Sequence, residues 1–498
     1  MTRTDGARDT QGRRADGSKR LAALGALAAS LAGGAVLATV PAPPAPRSSL
    51  QPAALASEAA PASSVSSSWY CPGGPAELAG TTHVLLANAA RSPARVALEM
   101  VDARGVRRQD LVRLAPHAES DVVPGRLLHG AWVATTVDVA GGAVSATELV
   151  VGRRSSTLAP CSSEVSSRWY FASGSTLGGS TLTVNLFNPT PDLAVVDLGF
   201  VTSSGFSAPA PFQGLVVEPG RLRTFTVGAF VQNQAAVATV VDARSGAIVA
   251  GELELYGPGG AAGASLTLGA PATSRRWDLP SVEDASQGSS DLAVLNPSGH
   301  RVRVVVGVRL PTGPVRPFTD TLGPRSEWNL ATSAQLRVPS QEPYTLEVRA
   351  TSPGVVVARL EAGAPAGPDP WWAEDVSVSA LETTSARAWL VPGLPSAPGP
   401  TMAAEAPAAS GRAPGAVGPV LVVANPTRAA VAVRVLWWSP RGRRRRLAVQ
   451  VPAGGRVTLR APRAPAVVQA SGPIAVMGDA SPAGTAGVVG IPAVPLSS

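Results

Sequence analysis

Few residues of this 498-residue chain could carry chemistry. Of the histidines, His83, His117 and His129 fall early and His300 stands apart, with no HExxH and no pairing at ligand spacing. A turn or solvent-facing role is expected for each, and no metal site. The glycine-rich stretch Gly174 to Gly179 lacks both a Lys-Ser/Thr and a following helix, so it is not read as a phosphate loop. No GxSxG elbow supplies a hydrolase serine. Glu252 and Glu254, two apart on a strand, could mimic the carboxylate pair of a glycosidase. Such pairs usually mark an outward, solvated strand face, and that is the expectation here. No cofactor is expected.

Cys71 and Cys161 are the only cysteines. They lie just inside the two ends of one segment, and in an exported protein that placement reads as a disulfide clasp, worth up to about 4 to 5 kcal/mol through restriction of the unfolded chain. A metal site completed by histidines of the same segment, or a pair of free thiols, are the alternatives.

The strongest chemical signal is charge. Between Ala406 and Gly478 there is no Asp or Glu but there are eleven arginines, in a chain of net charge +8, so the rest of the molecule is net negative. The densest part is Arg441, Arg443, Arg444, Arg445 and Arg446 around Gly442. Guanidinium groups match phosphate and carboxylate oxygens in a two-pronged way, so a hairpin tip carrying them is a candidate polyanion-binding knob. A solvated hairpin in an Arg-rich chain is the alternative. Lys19 is the only lysine, which fits the codon bias of a high-GC genome.

The elements that must position these residues come from a repeat. Trp69, Trp169, Trp277 and Trp389 each open a copy, and Asn88, Asn188, Asn296 and Asn425 follow at steps of 19, 19, 19 and 36. From each Asn to a turn glycine (Gly105, Gly205, Gly313, Gly442) the step is 17 every time. Aliphatic residues two and four before each Asn, and apolar ones eight, ten and twelve after it, alternate as strands do. Asn-Pro ends the first of these strands in the last three copies. In the second copy strands are expected at 169–171, 182–187, 193–201, 212–217, 221–227, 236–242 and 247–255. Nothing reads as a long amphipathic helix. Short strands with turn signals every eight to twelve residues, in units of roughly 100, predict an all-β chain of four tandem immunoglobulin-like β-sandwiches. A propeller is the rival, but its blades usually need only about 40 to 50 residues, so separate sandwiches in a row are preferred.

In order, residues 1–20 form a basic tail and 21–40 an uncharged run. That run is long enough, at roughly 30 Å, to be a transmembrane anchor with its N-terminus in the cytoplasm; a cleaved signal peptide is the alternative. Residues 41–65 form a Pro/Ala/Ser-rich spacer, expected to be extended. The sandwiches are 66–163, 164–270, 271–366 and 367–498, the last with Trp371 and Trp372 in its lead-in and a disordered insertion near 392–419.

The segment SRWYFASGSTLGGSTLTVNLFNPTPDLAVVDLGFVTSSG, followed by VVEPGRLRTFTV and SGAIVAGELELYG, resembles the repeats of an uncharacterised family of actinobacterial secreted or membrane-anchored envelope proteins. Those repeats share a Trp-Tyr opening, an Asn-Pro strand end and a closing apolar strand that runs into a Glu. Here Trp-Tyr occurs only at Trp69-Tyr70 and Trp169-Tyr170, and the closing Glu is Glu148 and then Glu252, with Leu360 taking that place in the third copy. The resemblance implies location and fold; it carries no activity and no site residues.

A non-enzymatic envelope protein is therefore expected, a membrane-tethered rod of sandwiches that binds or organises cell-wall polymers or surface proteins. Its partners would be an anionic wall polymer or lipid head groups, or envelope proteins, and not nucleic acid. A secreted enzyme or processing factor with a site between domains is the alternative, and a receptor-like ectodomain a third reading.

Overall fold

The computed structural model describes residues 57–76, 81–152, 156–256, 263–282, 288–332, 334–339, 342–363, 376–380, 386–393, 420–439, 442–462, 464–480 and 489–497. The basic tail, the uncharged run 21–40, the spacer up to residue 56, Trp371, Trp372, Arg441 and residues 394–419 of the insertion lie outside them. Among the described residues no helix is long and apolar enough to cross a membrane.

The chain is all-β, with several sheets consistent with β-sandwiches; among the described residues helix is limited to Pro124–Leu127 and two 3-10 turns. Alternation explains why. Val196, Leu198 and Phe200 enter the core of the second copy together with Val184 and Leu186, and the intervening residues face outward or a neighbouring copy. Five of the seven strands expected in that copy form within two residues of their expected ends, and a sixth, Ala238–Ser245, runs three residues past its expected end. The seventh shrinks to Leu215–Val217, because Pro209 and Pro211 cannot donate to a ladder and Ala210–Phe212 winds into a 3-10 turn instead. Gly205–Ser207 and Gly263–Leu268 are additional strands.

The recurring residues are the fasteners of each copy. All four anchor tryptophans are buried, and each indole Nε1 donates to a backbone carbonyl across the sandwich: Val144, Ile248, Val355 and Ile474, at 3.0, 2.9, 2.9 and 3.0 Å. Each anchor Asn is also buried. Its Nδ2 donates to the carbonyl four residues on (Ser92, Asp192, His300, Ala429) and to one near the end of a later strand (Ala115, Val217, Gly323, Val451). The Asn thus ties its own turn to a second one. Gly105, Gly205, Gly313 and Gly442 all have positive φ, between 72° and 132°, which explains a glycine at the constant step.

One sheet of each copy ends on a closing strand: Ser156–Pro160, Gly263–Leu268, Val376–Ala380 and Val489–Pro492. The third of these lies beyond the expected boundary at 366, yet it pairs antiparallel with Val356–Gly363 of the third copy. The closing strands meet in succession, first against second, second against third through Gly263 and Val376, third against fourth, and fourth against first. An open row was the expectation, and these contacts replace it with a closed circuit. The cause is apolar surface on both flanks of every copy. Val101, Ala134, Phe187 and Leu222 are buried between the first and second copies; Ala172, Val201 and Ala238 join the core cluster of the third; Met477 of the fourth joins the same cluster.

The fourth copy returns to the first through residues that the sequence assigns to the spacer. The Ala59 amide donates to the Pro495 carbonyl at 2.8 Å, the Ser497 amide donates to the Ala59 carbonyl at 3.0 Å, and the Ser497 hydroxyl donates to Glu58 Oε1 at 2.6 Å. Ala59 and Val494 both sit in the core cluster of the first copy. The spacer's last residues are therefore part of the fold.

Candidate functional site

The arginines lie on a hairpin. Ser439 caps its turn, accepting from the Gly442 amide at 2.8 Å and donating its own amide to the Arg443 carbonyl at 2.9 Å, before Val431–Trp438 pairs with Arg444–Val451. Arg444–Val451 is an edge strand with almost every side chain exposed. Arg443, Arg444, Arg445 and Arg446 are all exposed, and none of them forms an ion pair among the described residues. Arg441 falls outside those residues. Charged side chains also blunt an open edge against strand addition, so the run serves the fold whatever it binds.

Register sorts the arginines between two faces. Arg444 is opposite Trp438 and Arg446 opposite Leu436, while Arg445 is opposite Trp437. Trp437, Val435 and Val433 pack on the core of the fourth copy. Arg444 and Arg446 therefore project on the other face with Trp438 and Leu436, and Arg434 and Gln469, opposite each other in the same sheet, share it.

That face looks onto the first copy across a cleft of roughly 870 Å³. The first copy contributes the Asn88 turn, with Arg91 and Ser92, and His117 from the turn after Pro116. The His117 ring lies flat on Trp438, with centroids 3.4 Å apart and planes 3° from parallel. A solvent or turn role was expected for this histidine; it does sit in a turn, with φ 54°, but it also joins the two copies. Burial, and then the charge of Arg91, push its imidazole below the usual value, so it is neutral near pH 7. Among the described residues no carboxylate lines the cleft.

The carboxylates are elsewhere, and the solvated face expected for Glu252 and Glu254 is not what forms. Both are buried on the strand Val249–Tyr256. The Thr239 hydroxyl donates to Glu252 Oε2 at 3.0 Å, and the Glu254 carboxyl is raised to about 8, chiefly by burial. Glu252 is pushed well up by burial and by Glu254. Glu148 is raised to about 8 by burial, although the Gly73 amide donates to it at 3.2 Å. Pairing places the residue opposite each Asn-minus-four aliphatic at Glu148, Glu252, Arg359 and Gly478. In the third copy the equivalent position is thus Arg359 and not Leu360. His83, expected in a turn or at the surface, is buried with its Nδ1 2.9 Å from Asp121.

Cys71 and Cys161 are joined in a disulfide that closes the first copy. Among the described residues no group of His, Cys, Asp and Glu is placed to hold a metal ion.

Residues 153–414 match a family of unknown function, DUF5719. The chain belongs to this family. The DUF5719 region takes in the second and third copies, with Glu252 and Arg359, and ends before the arginine strand; Cys161 lies within it and Cys71 before it. No curated protein matches the chain. Among solved structures, Thermotoga maritima 1070 is similar at 14% identity over 22% of this chain and 94% of that one, with a TM-score of 0.19. A tetra-tandem repeat from the extending region of a large adhesion protein gives 12% identity over 85% and 98%, TM-score 0.10. Dimeric latent PorU from Porphyromonas gingivalis gives 10% over 61% and 30%, TM-score 0.15.

Sequence reasoning located the arginine run but missed Arg91, His117, Trp438 and Gln469. One signal was available: in Trp437-Trp438 the two rings must face opposite sides of a strand, so one of them had to leave the core.

Proposed function

We propose that this DUF5719 member is a non-enzymatic, extracytoplasmic envelope protein of an actinobacterium, whose immunoglobulin-like copies present an arginine edge to anionic envelope polymers or lipid head groups. Residues 21–40 would carry it across the membrane, either remaining as an anchor or leaving as a signal peptide. The circuit between the first and fourth copies replaces the extended rod expected from sequence, so the protein would act as a compact presenting body.

The observation that carries the reading is the exposed run Arg443 to Arg446, without ion-pair partners among the described residues, on an edge strand. Unpaired guanidinium groups on a rigid strand bind polyanions with a strong salt dependence. The test is retention of the full chain on isolated cell wall and on anionic vesicles at low and high salt, beside a variant with Arg443 to Arg446 changed to Ser. Retention that falls with salt, and falls in the variant, is expected. Equal retention of the two proteins, or indifference to salt, refutes the proposal.

A further inference from the structure

We infer that the cleft between the first and fourth copies is a subsite for an acidic saccharide, a sugar unit bearing a carboxylate or phosphate. The inference rests on the polyanion reading and narrows it to one ligand class and one face of the arginine hairpin.

A charge-only ligand such as polyphosphate needs cations and nothing else. This cleft offers more. Arg91 comes from one copy and Arg444 from the other, so two guanidinium groups from different elements line one space, with Arg434 and Arg446 on the same sheet face. The same lining includes Leu436, Val467 and several alanines, which are apolar, and Gln469 and Ser92, which carry an amide and a hydroxyl. A pyranose has that duality: an apolar C–H face, a rim of hydroxyls, and in an acidic sugar one anionic group. The cleft volume is within the range of about 300 to 1,000 Å³ usual for small-ligand sites. With no carboxylate among the described lining residues, the lining they form does not repel an anion.

Facing decides the test. Arg444 and Arg446 share the cleft face, whereas Arg445 is on the opposite side of the strand. Binding of the full chain to an oligogalacturonate would be titrated alongside polyphosphate, a neutral dextran and phosphatidylglycerol vesicles. Arg444→Ser with Arg446→Ser should weaken oligogalacturonate binding about tenfold or more, and Arg443→Ser with Arg445→Ser by no more than about twofold, while both pairs weaken polyphosphate alike. Gln469→Leu, which leaves the His117 and Trp438 contact in place, should weaken oligogalacturonate about threefold and leave polyphosphate unchanged. Equal effects of the two arginine pairs on oligogalacturonate, or vesicle binding without oligogalacturonate binding, would overturn the subsite and leave the polyanion reading standing. If neither pair alters binding to any anion, both fall.

Discussion

Glu148, Glu252 and Arg359 occupy one register position in three copies, two acids and a base, all buried. For Glu148 the folded carboxyl titrates near 8 against an ordinary value of 4.5. Below pH 4.5 it is protonated whether the chain is folded or not, and its stabilising effect is complete. Between 4.5 and 8 the unfolded chain holds fewer protons than the folded one, so stability falls as pH rises, and above 8 the loss is complete. Glu254 acts in the same direction over the same window. Glu148→Gln should flatten the decline of melting temperature between pH 5 and pH 8.5, raising stability at the alkaline end by on the order of 2 kcal/mol. Parallel melting profiles for the two proteins would rule this out. The sequence could not announce these burials, because period two says which residues share a face but not whether that face meets water or another sheet. Here Gly73 and Thr239 line the interior with donors, and neither is recognisable as an acid's partner until the copies are folded.

At the level of the strand, one core slot is filled in two ways. Cys161 and Gly269 are equivalent, each donating its amide to the alanine, Ala146 or Ala250, that stands opposite Leu86 or Leu186. Their partners two residues after the anchor Trp are Cys71 and Phe171. A methyl group on Gly269 would come within 2.8 Å of the Phe171 ring, so the glycine makes room for the aromatic where the first copy has a covalent bond. Cys71→Ala with Cys161→Ala should lower the stability of the first copy by about 3 to 5 kcal/mol. Cys71→Phe with Cys161→Gly should recover part of that loss and melt identically with and without reductant. A swap variant no more stable than the alanine pair would show that the slots differ. Strand positions, the tryptophan and asparagine fasteners and the turn glycines were readable because each is a local requirement repeated at constant spacing. The pairing of Ala386–Val391 with the first part of Ala466–Ala480, whose other end pairs with Val420–Ala424, was not readable, since it depends on one long strand serving two sheets.

For the molecule as a whole, closure between the fourth copy and the first is the feature least visible in sequence. No spacing rule links Ala59 to Leu496, and the residues before Trp69 look like linker. Ala59→Pro removes the amide that donates to Pro495, at a residue buried in the core of the first copy, and should loosen this junction while leaving the core of the second copy as it is. Hydrogen exchange should quicken at 494–497 and around Trp438 and stay unchanged at 181–188; unchanged exchange at the junction would mean that the backbone bridge contributes nothing to closure. The same junction also sets a timetable. Glu58 and Ser497 are 439 positions apart, and Val494 completes the core around Trp69 and Cys71. At a synthesis rate of about 5 to 20 residues per second, roughly 20 to 90 seconds separate the appearance of the two halves of that core. For that interval the first copy exists with a gap in its interior, and whatever shields nascent chains in the cell has to cover it until the last strand arrives.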